Sequence, residues 1–275
     1  MSWRLKVTHS TAFQYESEVL ASFNEARMTP INFSGQYLIQ HSFKVSPDAT
    51  LFEYQDYFET HVKSFDVQSP HTSLTIVADS IVETHSQASE PSPISWELLD
   101  DPLFQDEFDE YLHHSNLVDA ITPDFTLRDE PTPLDAVNLL NSHIRERITY
   151  TSGVTHVYSP ASEAWSKGAG VCQDFTHASL SILRAAGIPA RYISGYLYTG
   201  DGEVGKTVVG ESHSWVEAWV GAWLPFDPTN GRPVAEDHIV VAKGRDYHDV
   251  SPLKGIFSGG ASRKTDVVVA LTRLS

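Results

Sequence analysis

The chain has 275 residues, 41% of them hydrophobic and 20% charged, enough to bury a sizeable core in one large domain or two smaller ones. Acidic residues outnumber basic ones 36 to 19, a formal charge of −17 that repels phosphate backbones and anionic lipid, so neither nucleic acid nor membrane is an expected partner. A single cysteine rules out an intrachain disulfide and a cysteine-based zinc cage.

The opening stretch Met1-Ser-Trp-Arg-Leu-Lys-Val-Thr-His9 alternates polar and apolar residues and predicts a strand. It lacks the apolar centre of a signal peptide, and no later apolar run is long enough to span a bilayer; the expected location is the cytoplasm. Strands are predicted at Trp3–His9, Gln36–Val45, His61–Val67 and Ser73–Thr84, rich in β-branched and aromatic residues. Pro30, Ser34-Gly35, Ser46-Pro47 and Ser69-Pro70 punctuate them, and this spacing suggests a sandwich of antiparallel sheets over residues 1–92. Glu90-Pro-Ser-Pro93 marks its end. An acidic stretch with Leu98, Leu99, Leu103, Phe104 and Phe108 follows and reads as a short helical connector, residues 93–130.

The remaining residues, 131–275, form the expected core domain. After Glu130-Pro-Thr-Pro133 a helix begins, with Thr132 as cap, Pro133 at the first position and Asp135 at the third. Val137, Leu140 and Ile144 then recur at helical spacing. A second helix opens at Gly168-Ala-Gly170-Val-Cys172-Gln-Asp-Phe-Thr-His177. Phe175, Ala178, Ile182 and Ala185 form one stripe, Asp174, His177, Ser181 and Arg184 another, and Gly187 with Pro189 ends the helix. Cys172 thus sits at the positive end of a helix, where a thiolate is stabilised and free backbone N–H groups are available to an oxyanion. The plainer alternative is a small apolar residue filling a gap.

Glu211-Ser-His213 to Asp227-Pro-Thr-Asn-Gly231 reads as two strands joined near Gly221. A two-residue Gly221-Ala222 turn would put Asp227 on the face opposite His213. A three-residue loop, Trp219-Val220-Gly221, pairs Ala218 with Ala222 and His213 with Asp227, and is the expected geometry. Asp227 then accepts one imidazole N–H and leaves the other nitrogen for the cysteine. The chain ends in Asp266-Val-Val-Val-Ala-Leu-Thr272, suited to a buried strand.

Gly170-Val-Cys172, His213-Ser-Trp215 and Asp227-Pro228 together resemble the transglutaminase-like superfamily, in which a cysteine opens a helix and histidine and aspartate lie on successive strands. Ile148-Thr-Tyr150, Gly187-Ile-Pro-Ala-Arg191 and Tyr192-Ile-Ser-Gly195-Tyr196 support the likeness. Asn24-Glu-Ala-Arg-Met-Thr-Pro30, Asp56-Tyr57-Phe58 and Gly244-Arg-Asp-Tyr247-His-Asp-Val-Ser-Pro252 extend it to a bacterial branch of transglutaminase-like candidate cysteine proteases with a β-rich N-terminal region. The resemblance implies an α+β protein, an N-terminal antiparallel β-sandwich followed by a papain-like transglutaminase core. It implies Cys172 as nucleophile, His213 as base and Asp227 as the group orienting it, with no cofactor and no metal. The expected chemistry is attack on an amide of a peptide or protein substrate and passage through a thioester. Water as acceptor gives a peptidase or amidase, the expected outcome; an amine as acceptor gives a transglutaminase; a non-catalytic peptide-binding relative is the further alternative.

Lesser expectations concern the surroundings. Trp165 is either a second oxyanion donor or core, and Gln173 lines the cleft. Trp215, Trp219 and Trp223 suggest an aromatic-lined path for an amine. Glu25 and Arg27 form an ion pair or contact substrate, and Asp246, Tyr247 and Asp249 rim the site or lie on loops.

Overall fold

The computed structural model describes residues 2–86, 91–259 and 263–275; Glu90, at the expected boundary, lies outside them. In chain order the first half holds β1 (Ser2–Ala26), β2 (Gln36–Ser46), β3 (Leu51–Gln55), β4 (His61–Val67) and β5 (His71–His85). Two short helices, α1 (Trp96–Leu99) and α2 (Pro102–Glu107), occupy the connector. The second half runs α3 (Pro133–Arg147), β6 (Thr149–Tyr150), α4 (Ala161–Lys167), β7 (Ala169–Gly170), α5 (Cys172–Ala185), β8 (Ala190–Leu197), β9 (Thr207–Gly210), β10 (His213–Trp219), β11 (Trp223–Asp227), β12 (Arg232–Pro233), β13 (His238–Gly244), α6 (Tyr247–Val250), β14 (Leu253–Gly259) and β15 (Arg263–Arg273). The protein is α+β, with a strand-rich N-terminal part followed by a core of helices and antiparallel sheet.

The strand predicted at Trp3–His9 is only the start of β1, because the alternation of buried and exposed residues runs on through Thr11, Phe13 and Tyr15. The first part of β1 pairs with β5 on one side and β15 on the other. Its last residues change partners to β4 and β14, so one long strand serves both layers. Phe13, Tyr15, Val19, Phe65, Val67, Leu74 and Ile76 fill the space between those layers. The sheet therefore is not confined to residues 1–92: β9, β14 and β15, from late in the chain, complete it. Local alternation identifies strands but not such distant partners. β15 is half-buried rather than buried, with Val269 and Leu271 inside and Val267 and Val268 exposed.

In the core, Thr132 caps α3 as expected, its hydroxyl accepting from the Asp135 N–H at 3.2 Å. Val137, Leu140 and Ile144 are wholly buried, each contributing about 1.5–3 kcal/mol by removal from water. α5 packs on a five-stranded antiparallel sheet of order β12-β11-β10-β8-β13. The apolar stripe is buried except for Ala185 at the helix end, and the polar stripe is buried too: Asp174, His177, Ser181 and Arg184 all lie inside. Arg184 makes this tolerable by donating to the carbonyls of Ala190, His113 and Arg245. Gly195 of β8 lies opposite His213 of β10, and there a Cβ would stand 1.9 Å from the Ile239 carbonyl oxygen. Only glycine lets β13 approach β8 at that point.

Candidate active site

Cys172 is the first residue of α5 and is half-buried. Asp174, two residues on, accepts the Val171 N–H at 2.7 Å and the Thr155 hydroxyl at 2.7 Å, tying the approach loop to the helix start. Gly170 precedes this contact because a Cβ there would lie 2.6 Å from the Asp174 side chain. The Asp174 N–H bonds back to the Val171 carbonyl at 2.8 Å. The N–H groups of Cys172 and Gln173 are the ones a helix start leaves without an intrahelical partner. Thr176 joins α5 to β10, its hydroxyl 2.9 Å from the Cys172 carbonyl and 3.1 Å from Ser214 Oγ.

The β10–β11 hairpin has a three-residue loop, but it is Val220-Gly221-Ala222, closed by the pair Trp219↔Trp223. Gly221 takes φ +103°, at the middle of the loop rather than its end. The register is thereby displaced by two residues from the expected one, with Val216 opposite Phe226. A displacement by two keeps every side chain on its face. His213 and Asp227 therefore share a face as diagonal rather than direct neighbours. The imidazole bridges the offset: His213 Nε2 lies 2.8 Å from Asp227 Oδ2.

Asp227 is fully buried and heavily satisfied. Oδ1 accepts from the N–H groups of Thr229 and Asn230 at 3.0 and 3.1 Å, and Oδ2 from Asn230 Nδ2 at 2.6 Å. His238 approaches Oδ2 at 3.4 Å from the other side, its Nδ1 held 2.7 Å from Asp237. Neither Asn230 nor His238 was singled out in the sequence; the Asp-Pro-Thr-Asn turn signals the first, while nothing local marks the second among 13 histidines. His213, Asp227 and His238 also place one ligand-type atom each within 4.8 Å of the others, and their mutual hydrogen bonds engage those atoms.

Burial alone lowers the His213 pKa, but hydrogen bonds with Asp227 and Cys172 outweigh it and raise it from 6.5 to about 9. Burial likewise opposes the Asp227 carboxylate, yet bonds from His213 and His238 hold its pKa below the usual carboxylate range. Since the His213 value is raised, its stabilisation is complete below about pH 6.5 and fades as pH climbs through about 9. Asp227, with a lowered value, stabilises above the ordinary carboxylate pKa and loses this as pH falls. The thermal midpoint is thus expected to drop more steeply from about pH 7.5 to 10 in the wild type than in Asp227→Asn, whose imidazole lacks its anionic partner. Parallel curves would contradict the linkage.

A cleft of about 490 Å³ opens at Cys172 and His213. Tyr150, Gln173, Tyr192 and Tyr247 line it, and Val208 and Leu271, on β9 and β15 of the large sheet, form part of its wall. Gln173 is anchored by donating to the Val157 carbonyl at 3.1 Å. Trp165 is not part of the lining; it packs on the core beneath the Arg147 guanidinium, 5.0 Å away. The tryptophan path is also absent from the cleft walls. Trp215 is buried, while Trp219 and Trp223 pack with Phe108 of the connector, burying more apolar ring than a wet channel would. Of the three late residues, only Tyr247 lines the cleft: Asp246 caps α6 and accepts from Ser115, and Asp249 pairs with Arg245 at 2.9 Å. Arg27 is buried between Glu25 at 3.3 Å and Asp56 at 3.2 Å, an ion-pair cluster.

Comparison with known proteins identifies the family and the fold. Residues 120–228 match the family profile described as the transglutaminase-like superfamily, and residues 5–83 that of the bacterial transglutaminase-like N-terminal region. An uncharacterized Mycobacterium leprae protein is 43% identical over 282 residues, spanning 99% of this chain and 100% of its own. A protein-glutamine gamma-glutamyltransferase of Pseudomonas aeruginosa is 38% identical over 65 residues, 22% of this chain and 10% of that one. Among solved structures, a candidate cysteine protease from Cytophaga hutchinsonii shares the fold, with TM-score 0.78 and 20% identity over 100% of this chain and 92% of its own.

Proposed function

We propose a hydrolytic thiol mechanism for this chain, which belongs to the transglutaminase-like superfamily. The observation that carries the reading is His213, held by a buried carboxylate at 2.8 Å and sharing one cleft with Cys172, which together with Asp227 raises its pKa. With Nε2 committed to Asp227, Nδ1 is left for the sulfur. A protonated His213 pairs with a Cys172 thiolate, which attacks the carbonyl carbon of a peptide or other amide. The oxyanion meets the N–H groups of Cys172 and Gln173. His213 then gives its proton to the departing nitrogen, the C–N bond breaks, and a Cys172 thioester remains. His213, now neutral, takes a proton from water as it attacks, releasing the acid and restoring the thiol pair.

Water is favoured over an amine as acceptor by the walls of the cleft. Ser152, Ser194, Thr199, Glu211 and Ser212 line it with hydroxyl and carboxylate groups that water wets readily. A peptide library incubated with the protein, with and without a primary amine, is expected to yield free carboxylic acid in both cases. A product carrying the amine as the main species would instead assign a transglutaminase. Binding of peptides with no turnover under any condition would assign the non-catalytic reading.

A further inference from the structure

Beside the cleft, sharing Tyr247 as a common wall, lies a second groove of about 480 Å³ between β1, β14 and α6. Its floor is a cross-strand pair, Phe23 opposite Ile256, and Tyr158 closes one side. All three are exposed, at 51%, 73% and 67%, which makes a concentrated apolar patch next to a reactive site. Along the same pair of strands Glu25 stands opposite Lys254. Glu25 is already engaged, by Arg27 at 3.3 Å and by the Tyr54 hydroxyl at 2.8 Å. Among the described residues Lys254 makes no hydrogen bond and no ion pair, although it lines both this groove and the neighbouring hollow at Arg27 and Arg245. Partial burial and the nearby Arg27 both disfavour its charged form. The carboxylates of Asp249, Glu25 and Asp246 act on it in the opposite sense, but Glu25 and Asp249 are paired with Arg27 and Arg245, so Lys254 is a cation with no ion pair of its own in a chain of formal charge −17.

We infer that this groove is a substrate subsite that receives a large apolar side chain together with a neighbouring carboxylate of the peptide whose amide lies at Cys172. Phe23, Ile256 and Tyr158 take the apolar side chain, and Lys254 takes the carboxylate. The arrangement matches the anatomy of specific sites, with an apolar floor and one charge that fixes orientation. It also explains how an acidic protein selects an acidic segment, since the general field repels one and only a local cation rewards it. The inference extends the proposed hydrolysis by naming the substrate class, and its test is separated from turnover.

The test uses the full chain carrying Cys172→Ala, which binds without reacting. Dye-labelled octapeptides with one Phe beside Asp, Asn or Lys are titrated by fluorescence anisotropy against it and against versions that add Lys254→Glu or Lys254→Gln. Lys206→Glu, at an exposed lysine paired with Asp201, serves as a control for total charge. The Asp peptide is expected to bind about tenfold tighter than the Lys peptide, with the order lost in Lys254→Gln, reversed in Lys254→Glu and kept in Lys206→Glu. The same order in all variants, or no binding of any peptide, would overturn the subsite. Charge-dependent binding without cleavage by the wild type would leave the subsite standing and remove only the hydrolytic reading.

Discussion

Cys172→Ala is expected to lower turnover of an amide substrate by about 10⁴- to 10⁶-fold, the scale on which a nucleophile and its partners fail together. The chain has one cysteine, so no other thiol can substitute. Stability should hardly change, because the side chain is half-buried and only one atom is removed. A shift of the thermal midpoint by no more than a few degrees is expected, corresponding to about 1 kcal/mol. Combining Cys172→Ala with His213→Ala should cost little beyond the single change, since the base has no proton to take once the thiol is gone. Equal rates in wild type and Cys172→Ala would remove Cys172 from the mechanism. Additive losses in the double variant would mean that His213 acts independently.

Asp227→Asn is expected to cost about 10³- to 10⁴-fold in kcat, because an amide in place of the carboxylate prefers the wrong imidazole tautomer. The surrounding bonds force the issue. Thr229 and Asn230 donate to Oδ1, so the amide oxygen is retained there. The new NH₂ then replaces Oδ2, where it meets His213 Nε2 and the Asn230 amide, both of which now donate. His213 can relieve the conflict only by accepting at Nε2 and carrying its proton on Nδ1, which points it at the sulfur as a donor. A neutral histidine of that kind no longer takes a proton from the thiol. The variant should also lose stability, since a buried donor is left facing donors at a cost of about 1–3 kcal/mol. His238→Gln provides the contrast: its 3.4 Å contact with Oδ2 supports the carboxylate from behind, and about a tenfold loss is expected. Measured kcat for the two variants against their thermal midpoints distinguishes tautomer loss from simple unfolding. An Asp227→Asn loss no larger than that of His238→Gln would contradict the orienting role.

The sequence was most legible where chemistry and local geometry coincide. A glycine-flanked cysteine, a Pro-Thr-Pro cap and a Gly-x-Pro stop define α3 and α5 because caps and breakers act within a few residues. The hairpin shows the limit of that reasoning. Three loop residues could be argued from Gly221, but which three depended on Trp219 and Trp223 closing the loop as a pair packed on Phe108, a contact made by a segment more than a hundred residues away. The face shared by His213 and Asp227 survived the displacement only because it amounted to two residues. Asp227 has two roles at once: it forms the Asp-Pro turn through Oδ1 and holds the imidazole through Oδ2. β15 was legible as a strand, but β9 and β14 were not singled out, and the joining of all three to the sheet of β1 was not legible, since alternation carries no address. His238 stayed hidden for the same reason, reaching Asp227 from a strand on the far side of β8.

The most direct test of the account is intact-protein mass spectrometry after brief exposure to a cleavable peptide and rapid acid quench. An acyl adduct on the peptide containing Cys172, released by hydroxylamine and missing in His213→Ala, is the expected result. Turnover without any adduct at Cys172, or an adduct that persists undiminished in His213→Ala, would contradict it.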